Sequence, residues 1–227
     1  TWNYSGSSSY TVGHGLSTAP KVLFVKKTDG STNWFVRHGA VHTGNGALFL
    51  NTNTTGDSGS TVFNGTAPTD SVISLNGALT DVRGAHVCYA FAEKTGVSKF
   101  GSYTGNGSVD GPEVNDLGFA PALLVIKRTN ANSEWAAYDS ARGNDNQLRW
   151  DATDADNTNS AVNVRLTSNG FKIATSDAAQ NGNGDTYVYM AWARDFTVDG
   201  DYKALNTKNL PAPDIKDGSD HFQTVLY

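Results

Sequence analysis

Apolar residues in this chain come in short runs whose alternation is that of strands. Val22 to Lys26 and Leu123 to Lys127 are apolar on both alternating faces, as a strand covered on both sides should be. Trp34, Phe35 and Val36 open a second strand, matched by Trp135, Ala136 and Ala137, and Leu48–Leu50, Val72–Leu75, Val162–Leu166 and Phe171–Ile173 are further short strands. The last strands alternate by size: Val87, Tyr89 and Phe91 against Cys88, Ala90 and Ala92, then Val188, Met190 and Trp192 against Ala191 and Ala193. A large face fills a sandwich core and a row of Ala admits another layer closely, so Tyr89, Phe91, Met190 and Trp192 are expected to be buried. Strands roughly 10–15 residues apart, with Gly- and Asn-rich turns between, predict an all-β fold of β-sandwich type.

The pattern occurs twice. Ala19-Pro20 with Val22 to Lys27 returns as Ala120-Pro121 with Leu123 to Arg128, Trp34 returns as Trp135, and Val87 to Ala92 returns as Val188 to Ala193, each 101 residues on. The opening Tyr4-Ser5-Gly6 aligns with Tyr103-Thr104-Gly105, 99 residues on. A tandem duplication follows, of two similar β-sandwich units packed together. Residues 1–102 form the first unit, 103–203 the second, and 204–227 an extended connector broken by Pro211 and Pro213. Phe222, Val225 and Leu226 alternate as a short strand able to dock on a sheet edge.

Composition sharpens this picture. At 227 residues the chain can bury roughly 70% of its unfolded surface, enough for a core without metal or disulfide. Of its 22 acids 19 are Asp and three are Glu, and there is one Met, a bias toward turns over helices. One cysteine, Cys88, rules out a disulfide framework and a Cys-based zinc site. A net charge of −5 leaves no basic footprint for nucleic acid, no run is long and apolar enough to enter a membrane, and the first residues do not resemble a signal peptide.

Candidate chemistry is sparse. Gly56-Asp57-Ser58-Gly59 echoes the setting of a nucleophilic serine, yet a loop needs the same residues, and His38 and His42 lie on or beside a neighbouring strand. Asp151, Asp154 and Asp156, with Asn157 and Asn159, form the densest oxygen cluster; a solvated loop is the ordinary reading and calcium the chemical alternative. Among the histidines only His38 and His42 are close, and four apart on a strand is about 13 Å, too far for one metal without a turn between. Asn181-Gly182-Asn183-Gly184-Asp185 suits a hairpin turn into the last strand. Trp34 and Trp135 occupy equivalent positions, which shared packing explains, whereas Trp2 and Trp150 show no equivalents. All four are candidates for stacking on a sugar. Glu93, Glu113 and Glu134 do not pair, so nothing marks a glycosidase.

The chain also resembles a duplicated β-sandwich domain of unknown function from tail and virion-surface proteins of tailed bacteriophages, lectin-like or SPRY-like in character. The resemblance runs through Asn33-Trp34, Leu48 to Asn51, Thr66 to Thr69, Lys99 to Ser108, Asp110 to Pro112, Ile126 to Thr129 and Ser168 to Lys172. It implies that each unit is lectin- or jelly-roll-like. It also implies a non-enzymatic virion protein, at the surface or tail, with other virion proteins and further copies of itself as partners and a host-surface glycan as candidate ligand. Capsid decoration or tail assembly without a host ligand, and a polysaccharide depolymerase, are the rival functions. No cofactor is implied and no catalytic residue is carried over. Asn206 to Pro211 resembles a linker into a further unit, so the resemblance implies a piece of a longer protein.

Overall fold

The structure, a computed structural model, describes residues 1–6, 8–76, 83–143, 146–158 and 163–193. The expected connector 204–227, and with it His221, Phe222, Val225 and Leu226, lies outside the described residues, as do Asn159 and Val162.

One antiparallel five-stranded sheet is built twice. In the first repeat β1 (Trp2–Tyr4), β3 (Val22–Lys27), β4 (Phe35–His38), β5 (Leu48–Phe49) and β7 (Gly84–Phe91) lie in the order β1-β7-β3-β4-β5. In the second, β8 (Ser98–Thr104), β10 (Pro121–Arg128), β11 (Ala136–Asp139), β12 (Leu148–Arg149) and β15 (Thr186–Ala193) lie in the order β8-β15-β10-β11-β12. Each sheet has a smaller companion. β2 (Tyr10–Gly13) pairs with β6 (Val72–Leu75), and β14 (Gly170–Ile173) is flanked by β9 (Glu113–Val114) and β13 (Val164–Thr167). A single helical turn, α1 (Ala178–Asn181), precedes β15.

The ladders repeat residue for residue. Phe24 faces Tyr89 as Val125 faces Met190, and Val22 faces His38 as Leu123 faces Asp139, all 101 residues apart. After β11 the spacing drops to 100: Val36 faces Leu48 as Ala137 faces Leu148, and Leu50 N donates to Trp34 O as Trp150 N donates to Trp135 O. Trp150 therefore has an equivalent, Leu50. Trp2 has one too. It faces and stacks on His86 (centroids 5.2 Å apart) as Tyr103 faces and stacks on Tyr187 (4.9 Å). The opening strands thus align at 101, not at the 99 of the Tyr4–Tyr103 match; a slip of two keeps the same face, so the sequence similarity tolerates it.

Three cores result. Leu23, Val25, Phe35, Ile73 and Leu75 fill the space between the first sheet and β2–β6, with Cys88 and Ala90 against them. Leu124, Ile126, Tyr138, Phe171, Ile173, Ala191 and Ala193 fill the equivalent space in the second repeat. The large faces of the two five-stranded sheets meet in a third core around Phe24, Val36, Phe100, Val125, Trp135 and Met190. The alternation of the last strands holds for Cys88 and Ala90 and for Ala191 and Ala193, which lie under the outer sheets while Phe91, Val188, Met190 and Trp192 face the centre, but Tyr187 and Tyr189 put two large rings under the outer sheet of the second repeat. Residues Thr1–Asp195 form one compact unit.

One expectation fails. Met190 is fully buried, and Phe91 and Trp192 are half-buried with rings 5.5 Å apart, but Tyr89 is 51% exposed. The two sheets overlap unevenly. Lys26, Trp34 and Val87 are only half-buried around Tyr89, whereas their counterparts Lys127, Trp135 and Val188 are sealed. β5 and the loop after it do the sealing: Trp135 Nε1 donates to Phe49 O (2.8 Å), Ser133 N to Asn53 O (2.8 Å) and Thr55 N to Asn132 Oδ1 (3.2 Å).

Candidate functional site

The four tryptophans meet different fates. Trp135 has no exposure and is spent on the central core, so it cannot stack on a ligand. Trp2 is held by His86 and by its own Nε1, which donates to Tyr10 Oη (3.0 Å). Trp150 packs half-buried against the central core. Trp34 alone of the four lies beside an exposed ring, 6.3 Å from Tyr89 and nearly parallel to it.

Asp151, Asp154 and Asp156 are not brought together. Asp151 Oδ1 accepts from Trp135 N (2.9 Å), as Asn51 Oδ1 accepts from Trp34 N (2.8 Å) in the first repeat. Asp154 pairs with Arg149 and Asp156 with Arg142, each at 3.0 Å. A carboxylate spent on a separate arginine or on a backbone amide is poorly placed to share a calcium ion. Among the described residues no three His, Cys, Asp or Glu side chains are grouped to hold a metal.

His38 and His42 are core groups. A turn follows β4, with Val41 N and His42 N both donating to His38 O, so the chain folds back where an extended strand would run on. His42 Nδ1 accepts from His38 N (3.1 Å), which leaves the ring proton on Nε2. His38 Nδ1 accepts from Ala40 N (3.3 Å) while its Nε2 donates to Tyr189 O (3.1 Å) in the other repeat. Burial pushes both imidazoles down to about 4, with Arg37 and His38 adding to the effect at His42. Among the described residues no hydrogen bond joins Ser58 to a histidine, and Asp57 is spent on its own turn, accepting from Gly59 N (2.8 Å). The Gly-Asp-Ser-Gly segment is a loop.

The expected hairpin before the last strand is instead a helical turn followed by a tight turn, since β15 pairs with β8 and β10 and not with β14. Asp177 caps α1 by accepting from Ala179 N (2.7 Å). Asn181 is buried, accepts from Asn106 N (2.7 Å), and donates to Ser108 O and Thr175 O (2.7 Å each). The Lys99 to Ser108 block is thus a strand and a loop clasped by one amide.

That same Gly-Asp-Ser-Gly loop edges a cleft on the first repeat. Its volume is about 660 Å³, and it is lined by Ser31, Thr32, Asn33, Asn51, Asp57, Ser60 and Thr61 around Phe35 and Phe49. The two rings meet edge to face, 5.8 Å apart across the β4–β5 ladder. Asn51 fixes one rim, donating to Asn33 Oδ1 (3.0 Å) while accepting from Trp34 N. Gly56 turns the chain just before Asp57 at φ 85°, where a Cβ would collide with the Ala47 backbone. Hydroxyls, amides and one carboxylate over aromatic area suit a polyol better than an apolar ligand. The second repeat lacks this floor: Ala136 and Arg149 stand where Phe35 and Phe49 do. Sequence reasoning missed the cleft, although the loss of both aromatics between aligned repeats was its visible trace.

Fold and cleft together describe an internally duplicated all-β sandwich whose repeats have diverged at one surface site. The chain belongs to the family described as Domain of unknown function (DUF7483), whose model matches residues 1–195. No curated protein and no solved structure matches it.

Proposed function

We propose that this chain is a non-enzymatic surface module of a phage virion, a tail-fibre or other adhesion element, and that it offers the Phe35–Phe49 cleft to a host glycan. The observation that carries the reading is the cleft, a polar rim of amides and hydroxyls over two aromatic rings on a scaffold packed on both sides. The virion context rests on the resemblance of the repeat blocks. Among the described residues Asp57 is the one carboxylate in the cleft lining, whereas glycoside cleavage uses two across the scissile bond, which supports binding over hydrolysis.

Glycan-array and host-cell binding of the whole chain test this. Phe49→Ala and Asn51→Ala are each expected to weaken binding by about tenfold or more, a loss of about 1.4 kcal/mol. Undiminished binding by both variants sinks the cleft as the site. Absence of any glycan or cell binding favours a decoration or assembly role, and release of reducing sugar from host polysaccharide favours a depolymerase.

A further inference from the structure

We propose that the uncovered face of the first sheet, at Trp34 and Tyr89, is a self-docking surface that receives the loop after β12 of a second copy of this chain, joining copies head to tail. The proposal is independent of the glycan reading of the cleft.

The duplication itself shows what covers such a face. Tyr89 and Met190 hold the same ladder position, and Trp34 N donates to Asn51 Oδ1 as Trp135 N donates to Asp151 Oδ1. In the second repeat this face is sealed by β5 and its following loop, and the Trp135 indole N–H is satisfied by Phe49 O. Among the described residues nothing seals the equivalent face of the first repeat in this way: Tyr89 is half in solvent and the Trp34 indole N–H has no hydrogen-bond partner.

The complementary element is also present, at the other end of the same chain. The loop after β12 leaves the sheet as the loop after β5 does. Trp150 N bonds Trp135 O as Leu50 N bonds Trp34 O, and the Gln147–Asn157 bridge repeats the Ala47–Asp57 bridge. Thr153 and Asp154 on that loop are exposed. A second copy is the occupant because this chain already contains one working example of the contact, and the exposed Tyr89 side of the face and the exposed tip of the loop after β12 are the two halves that remain. The two halves belong to different surfaces, so the contact is heterologous and does not close on a dimer.

Sedimentation and light scattering of the full chain over rising concentration test the proposal. Mass is expected to grow beyond a dimer, and Tyr89→Arg to lower the association constant by at least about tenfold, as loss of a central aromatic anchor does. Its thermal midpoint should not move, because Tyr89 packs on little. Thr153→Arg, on the opposite half of the contact, should have the same effect, which guards against misfolding of either variant. In a Cys88→Ser background, Val87→Cys mixed with Thr153→Cys should oxidise to a cross-linked pair, while neither alone does. A chain monomeric at all concentrations overturns the proposal, whether Tyr89 then reacts with a nitrating reagent or is protected by the chain's own remaining residues. An assembly indifferent to Tyr89→Arg, or cross-linking of Val87→Cys with itself, overturns it equally.

Discussion

His38 ties the two repeats together, and with His42 it sets a pH limit on the fold. Both rings are buried, accept from backbone amides, and ionise only near 4 because burial disfavours the cation. Unfolded histidine takes up its proton near 6.5. Between about 6.5 and 4 the unfolded state therefore binds more protons, so stability falls as pH falls, and the contribution is fully present only above that window. Each site is worth on the order of 3 kcal/mol across the whole window. Urea melts at pH 7, 5 and 4 should show this loss, and His38→Gln, which keeps a donor for Tyr189 O, should flatten it relative to the parent. An unchanged slope would mean that His38 titrates normally. Spacing alone could not reveal this: His38 and His42 read as a pair stretched along a strand, and the turn that brings them together depends on Gly39 and Ala40 having no core partner.

At the scale of the strand, equal positions carry unequal loads. Met190→Ala is expected to cost about 2–5 kcal/mol, as deletion of a fully buried side chain does, whereas Tyr89→Ala should cost less than about 1. Similar losses at both positions, measured by chemical denaturation, would show that the face around Tyr89 is covered in solution. Alternation made the long strands legible, including which residues turn toward the centre. It could not show how far the two sheets overlap, and Tyr89 was misplaced for that reason. β1, β2, β8, β9 and β12 went unread for another. All but β8 are two to four residues long, and β8 is interrupted by Gly101 and Ser102, so none displays an apolar stripe of its own. The cleft left only an indirect trace, the loss of both aromatics in the second repeat, because it depends on Phe35 and Phe49 meeting across a ladder. Each alone looks like core.

The whole molecule should behave as one cooperative body in spite of its duplicated plan. Two tandem domains joined by a small polar interface would unfold in separate steps. Here the repeats share an apolar core, Trp135 donates across it to Phe49 O, and His38 donates across it to Tyr189 O. Separating the repeats would expose Trp135, Val125 and Met190 to water and leave a buried indole N–H and an imidazole without their acceptors. The cost of that exposure opposes any state in which one repeat is folded alone. Calorimetry of the full chain should then show a single transition for residues 1–195, with calorimetric and van't Hoff enthalpies in agreement. Ile73→Ala, in the outer core of the first repeat, and Ile173→Ala, in that of the second, should lower the same midpoint, each by about 2–5 kcal/mol of stability. Two resolved transitions, each moved by only one of these variants, would show that the central core is a contact between independent domains.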